Sequence, residues 1–230
     1  FDTHIYTQLF HLLLVAALCW ALAAWQGEGR ARARWWAGGV AVLLAMVFLG
    51  HFGFLINTAL MTGLLVAAVW AASLRGESWA RQARWPLTLA LAGAGLGAAL
   101  FFYSAYVPMF LGQLETAREG GLTAVAGRGP VSRAVMWERL WRDGLLVHFG
   151  LFPLLLMPWG LWRLWQEGRE EQGLGPRRAV AWLMLASLAV ALMFAVFPFV
   201  AGVTNSPRWM LFIAWAVAVG AAVAAERLWR

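Results

Sequence analysis

The sequence predicts an all-α, polytopic integral membrane protein: one transmembrane domain over residues 1–230, about seven membrane-crossing helices, and one interfacial amphipathic helix in a long outer loop. Three observations carry this. The composition is 62% hydrophobic and 13% charged, where soluble domains carry roughly 25% charge. The charges are clustered, leaving uncharged stretches near the roughly 20 residues a helix needs to cross the hydrocarbon core. Tryptophan recurs at the ends of those stretches, at positions 35, 36, 79, 85, 162, 165, 209 and 229, where an indole buries its rings and keeps its N–H at the headgroups. A water-soluble enzyme is excluded.

The first crossing runs from about Ile5 to Gln26 and is followed by Arg30, Arg32 and Arg34. Residues Trp35 to Leu74 contain no charged side chain, which is too long for one helix. Gly50-His51-Phe52-Gly53 supplies the breakers for a reversal, so this stretch divides into a second and a third crossing. Arg75 to Arg84 is polar, and Pro86 opens a fourth crossing to Gly112 at a position where a helix tolerates proline. The fifth spans Gly144 to Trp162, the sixth Ala179 to Val203 and the seventh Trp209 to Ala225. The start at Phe1 and the stop at Arg230 suggest a piece of a longer chain.

All eighteen basic residues are arginines. Alternating the loops across the membrane puts twelve of them on one side, six on the other, and five of those six in one long loop. Cationic loops stay cytoplasmic, so the N-terminus is expected outside and the C-terminus inside, in a bacterial inner membrane. The net charge of +7 therefore reports orientation and not nucleic-acid binding. Cys19, the single cysteine, can build neither an intrachain disulfide nor a thiolate cluster.

The long outer loop, Gln113 to Asp143, is the exception to short connections. Within it Pro130 can open a helix to Arg142. Val131, Ala134, Val135, Leu140 and Trp141 then form an apolar side, opposite Ser132, Arg133, Glu138, Arg139 and Arg142. That pattern is an interfacial helix, either resting on the headgroups or covering a lipid-linked substrate.

Polar groups inside a membrane are costly, so their placement is informative. Asp2, His4, His11, His51, Asn57, Tyr103, Ser104, Tyr106, His148, Asn205 and Arg208 all fall toward the outer ends of the crossings, while the inner halves are Ala, Leu, Val, Gly and Trp. A site would therefore open outward. Arg208 is its strongest candidate, because guanidinium recognises phosphate through paired hydrogen bonds; snorkelling to the headgroups is the alternative. Asp2 is a candidate base or metal ligand beside His4. The histidines can equally serve as hydrogen bonds between helices. Phosphate-loop, H-E-x-x-H and G-x-S-x-G motifs are missing, and all eleven acids lie at crossing ends or in loops, which disfavours ion-driven transport. The residues name no cofactor. A divalent metal is compatible with the candidates, and His11 or His51 paired with His148 would suit a b-type haem, which leaves an electron-transfer or quinone-binding subunit as a minority alternative.

The segment Gly50-His51-Phe52-Gly53-Phe54-Leu55-Ile56-Asn57-Thr58, then Phe101-Phe102-Tyr103-Ser104-Ala105-Tyr106-Val107-Pro108, then Asn205-Ser206-Pro207-Arg208-Trp209, resembles the C-terminal half of bacterial GT-C-type membrane glycosyltransferases of the mannosyltransferase and aminoarabinose-transferase kind. The resemblance covers most of the chain. It implies a polyprenyl-phosphate-linked sugar as donor and transfer on the extracytoplasmic side. It also implies a phosphate-binding role for Arg208, with His51, Tyr103, Tyr106, Asn205 and His148 as cavity lining by position. In that family a catalytic acid sits in the first outer loop, which is not evident here unless Asp2 is its remnant. A non-catalytic accessory subunit packed against other membrane subunits is the principal alternative, since small residues favour close helix packing.

Overall fold

The computed structural model describes residues 3–27, 30–50, 52–120, 133–170, 176–196 and 210–229, and among them every regular element is helical. The elements are α1 (Thr3–Gly27), α2 (Arg30–Phe48), α3 (Phe52–Leu74), α4 (Ser78–Phe101), a 3₁₀ turn (Tyr103–Tyr106), α5 (Val107–Gly120) and α6 (Arg133–Glu138). From α6 the chain continues through a π-helical stretch (Arg139–Leu146) and a short turn (Val147–Phe149) into α7 (Leu151–Glu170), α8 (Pro176–Val196) and α9 (Met210–Trp229). In hydrocarbon only helices satisfy every backbone N–H and C=O within one segment, so apolar runs of this length have little other choice.

Among the described residues five helices are long and apolar enough to cross a membrane, within Tyr6–Ala24, Leu55–Leu74, Ser78–Phe101, Pro176–Met193 and Phe212–Trp229. The pair Leu140–Phe149 and Leu151–Arg169, bent by 86°, makes a sixth if it counts as one crossing. The apolar part of α2, Trp35–Phe48, is too short by the same measure. The outward faces are those of a lipid-facing bundle: Leu89, Leu96 and Leu100 of α4 are 65%, 62% and 66% exposed.

The structure departs from the predicted boundaries in two instructive places. α4 begins at Ser78 and not at Pro86, which lies inside the helix. The polar first turns are helical because Trp79, Ala80 and Ala83 start a buried stripe that continues through Leu87, Ala90, Ala94 and Ala98. Packing outweighs the hydrogen bond that Pro86 removes. The same crossing stops at Phe101 and does not reach Gly112, and the fifth is broken at Gly150, whose φ of 73° suits a residue without a Cβ. Elsewhere the expected punctuation holds. α3 ends at Leu74 and the chain turns at Gly76 (φ 92°), with Glu77 N–H donating to Ala72 O (3.2 Å) and Gly76 N–H to Ser73 O (3.1 Å), a pattern that satisfies the last carbonyls.

The bundle has two groups. In the first, α2 lies between α1 and α4, and α4 also packs on α3. In the second, α7 and α9 make the most extensive helix pairing in the molecule. α8 touches α1 and α3 on one side, and α7 and α9 on the other. The α7–α9 seam has a glycine contact at its centre: Gly160 on α7 meets Gly220 on α9, both buried, while Gly168 further along α7 lies against Arg178 of α8. A Cβ on Gly160 would collide with the carbonyl of Gly220, and one on Gly220 would stand 2.9 Å from Met157 O. Close backbone approach is the main way membrane helices gain packing energy.

Beyond the apolar part of α7, its charged tail ties the seam at the arginine-rich end. Arg227 donates to Glu167 (2.5 Å), with Arg177 at 3.6 Å from the same carboxylate. The hydrogen bond from Arg227 holds the Glu167 carboxyl below the usual carboxylate range. A lowered folded-state value stabilises above the ordinary carboxylate pKa, and that contribution is lost as pH falls through the folded value. Thermal stability of the purified chain should therefore drop on acidification through that range, and Glu167→Gln should flatten that part of the profile. An unchanged profile in the variant would show that this cluster does not contribute.

Candidate functional site

The end of the bundle that carries the α2–α3 turn, the break after α4 and the start of α9 gathers uncharged polar side chains. α1 enters with Thr7 and His11, both buried. After α2 the chain turns tightly enough that a Cβ on Gly50 would lie 3.1 Å from Cβ and Cγ2 of Thr7 and closer to its hydroxyl. Glycine permits this approach of the turn to α1. One turn into α3, Asn57 and Thr58 are buried, and Thr58 Oγ1 lies 3.4 Å from His11 Nδ1. Phe212 of α9 covers the imidazole, with ring centroids 4.7 Å apart. Thr62 returns its hydroxyl to Thr58 O (2.7 Å), and Ser187 of α8 donates to Met61 Sδ (3.1 Å). Three helices, α1, α3 and α8, thus contribute to one stripe of weak polar groups in an otherwise apolar interior, and α9 covers it with Phe212.

His11, 2% exposed, bridges α1, α3 and α9. The Asn57 Oδ1 atom is buried and accepts no hydrogen bond among the described residues. Buried amide oxygens of this kind ordinarily hold a water or ligand donor.

Where α4 stops, the 3₁₀ turn presents the two predicted tyrosines side by side. Tyr103 is half-buried and donates its hydroxyl to Phe48 O (2.9 Å), fastening this turn to the last residue of α2. Tyr106 is exposed, with its ring 6.3 Å from those of Tyr103 and Phe102. His148 is also exposed, and its Nδ1 sits 2.8 Å from Gly144 O of its own helical segment. Of the predicted lining, Tyr103 and Tyr106 are therefore brought together, and His148 is engaged locally. Asp2, His51, Asn205 and Arg208 lie outside the described residues, as do residues 130–132 at the start of the predicted interfacial helix. No group of three or more His, Cys, Asp or Glu side chains able to hold a metal occurs among the described residues. Cys19 is a free thiol, partly buried.

Sequence reasoning missed Thr58, Phe212 and Ser187 as partners. The signal for the first was available: Thr58, Met61, Thr62, Leu65 and Val69 recur at helical spacing, so the polar positions of α3 share its buried face. It also missed a concavity at the opposite, arginine-rich end, between α3, the start of α4 and the start of α8. In the sequence the arginines there carry only an orientation signal. Comparison with protein-family models, with curated proteins and with solved structures gave no match.

Proposed function

We propose that the chain is the membrane region of a GT-C-like glycosyltransferase that takes a sugar from a polyprenyl-phosphate carrier on the extracytoplasmic face of a bacterial inner membrane. The proposal includes seven crossings, with the N-terminus outside and the C-terminus inside. The short α2 then counts as a crossing, and the helical segment before Gly150 lies along the headgroups. One observation supports this reading above the others: the transmembrane helices are interrupted at a single end, by the 3₁₀ turn after α4 and the 86° bend at Gly150. The buried polar stripe and the tyrosine pair are at that same end. Irregular backbone at membrane depth is tolerated where it lines a cavity or is covered by protein, and such a site needs both an opening to lipid and polar lining. Arg208, in the connection before α9, supplies the phosphate contact in this reading, and an acidic group from an outer loop would activate the acceptor hydroxyl.

The second reading, a non-catalytic membrane subunit, draws on the small-residue α7–α9 seam and on His11 serving as a contact between helices. Binding separates the two. The purified chain should retain a polyprenyl phosphate, and Arg208→Ala should weaken that retention at least about tenfold, the usual scale for one charge-assisted hydrogen bond. Equal retention by both proteins would remove the carrier-lipid reading and leave the subunit.

A further inference from the structure

α5 leaves the bundle. Its only substantial packing among the described residues is on the 3₁₀ turn before it, so no transmembrane helix accounts for its apolar side chains. It starts afresh because Pro108 lacks an N–H and its ring would meet the carbonyl of Ser104, which stops α4 from running on through it. Val107, Leu111 and Leu114 then stand at i, i+4 and i+7, a single stripe along the helix, and are 47%, 57% and 68% exposed. The remaining sides carry Glu115, Thr116 and Glu119, all exposed. Met109 lies off the stripe. Arg118 continues it by one turn, on a stem long enough to return its guanidinium to water.

The chain itself sets the level of this stripe. Charge in the first turns of α4 ends at Arg84, and the roughly 20 residues that a crossing needs, counted from there, reach the 3₁₀ turn. Phe102, Tyr103 and Tyr106 cluster in that stretch, as aromatic rings do at a membrane boundary. α5 begins at the next residue, and its stripe prolongs the apolar outward face of α4, from Leu96 and Leu100 through Phe101. A second copy of the chain is a poorer occupant than lipid. The 14 residues of α5 make a rod about 21 Å long, and three side chains on it fall far short of the roughly 800 Å² per partner in a stable interface.

We infer that α5 lies in the membrane surface, with Val107, Leu111 and Leu114 among the acyl chains and Glu115, Thr116 and Glu119 toward water. Surface helices that need anionic lipid carry Lys and Arg on the polar side. Here two carboxylates stand against one guanidinium, so the attraction is apolar and a zwitterionic bilayer suffices. The float pins the outer end of α4, and with it the 3₁₀ turn, to the lipid boundary. The inference is independent of Arg208 and of the carrier-lipid reading.

The test puts a nitroxide on single cysteines in the full chain, in a Cys19→Ala background, reconstituted into phosphatidylcholine vesicles. Collisions with oxygen, which concentrates in lipid, are compared with those of a water-soluble nickel chelate. Oxygen should prevail at Leu111→Cys and Leu114→Cys, and nickel at Glu115→Cys, Thr116→Cys and Glu119→Cys. Adding phosphatidylglycerol should leave this reversal unchanged. Since α5 packs on nothing but the turn, these substitutions leave the bundle intact, and Leu89→Cys on the outward face of α4 should favour oxygen throughout. Nickel prevailing at all five α5 positions would put the helix in water, and oxygen at all five would make it a continuation of the crossing; either overturns the inference. So would exclusion of both reagents from positions 111 and 114, which would mean a protein partner covers the stripe. A reversal seen only with phosphatidylglycerol overturns it too, and nickel prevailing at Leu89→Cys would remove the crossing that sets the level.

Discussion

Gly160→Val should unseat α7 from α9 and lower the stability of the chain by about 3 kcal/mol, the upper end of what overpacking costs. The position offers no soft neighbour to give way: the new Cβ would meet the backbone carbonyl of Gly220, and backbone on a packed helix cannot rotate aside as a side chain does. Relief requires the helices to separate along the whole seam. Separation would also part Gly220 on α9 from Met157 on α7. The measurement is thermal unfolding of the purified chain in detergent, compared with Gly93→Val on α4, where an added Cβ meets nothing within 4 Å. The control should carry only the modest cost of a β-branched residue in a helix. If both variants melt together, the close approach of α7 and α9 does not hold.

Phe212→Ala should cost about 3 kcal/mol, at the low end of the range for emptying a buried aromatic site. Phe212 has no exposed surface and is the largest of the fully buried side chains. Lipid tails are as apolar as its ring, so the transfer part of the usual penalty shrinks in a bilayer. The cavity part remains, because α1, α3 and α9 cannot all close on the gap. A second effect should accompany it. The ring covers His11, so its removal should open that imidazole to modification by diethylpyrocarbonate, which in the parent chain should spare His11. If the reactivity of His11 stays at the parent level, Phe212 does not shield it, whatever happens to stability.

The long apolar helices were legible because lipid imposes one rule on every residue of a span, and an uninterrupted apolar run states that rule locally. The α2–α3 reversal followed from its glycines, and the end of α3 at Leu74 from the charge that begins at Arg75. The start of α4 was not legible. Arg81, Gln82 and Arg84 look like a loop in one dimension, and only the burial of Trp79, Ala80 and Ala83 against neighbouring helices shows why they are helical. The break at Gly150 was hidden similarly, since Gly144 to Trp162 is apolar on both sides of the bend. Of the candidate site, the tyrosine pair was found as a pair. The partners of His11 depend on which faces α3 and α9 turn inward, and no single segment encodes that. The basic cavity was missed because charge at a helix end has two meanings, topology and chemistry, and only the three-dimensional neighbours of Arg75 and Arg178 separate them.

The position of α8 has a consequence for biosynthesis. α1 to α4 find their partners among themselves, at short separations along the chain, so these four can associate while the ribosome is still making the rest. α8 alone makes broad contact with both groups, and it emerges more than a hundred residues after α3. Until it is synthesised, the groove on α1 and α3 that will receive it faces lipid. The N-terminal helices therefore spend part of their early life as a half-built interface, open to whatever else in the membrane presents a matching surface, and the arrival of α8 closes that interval.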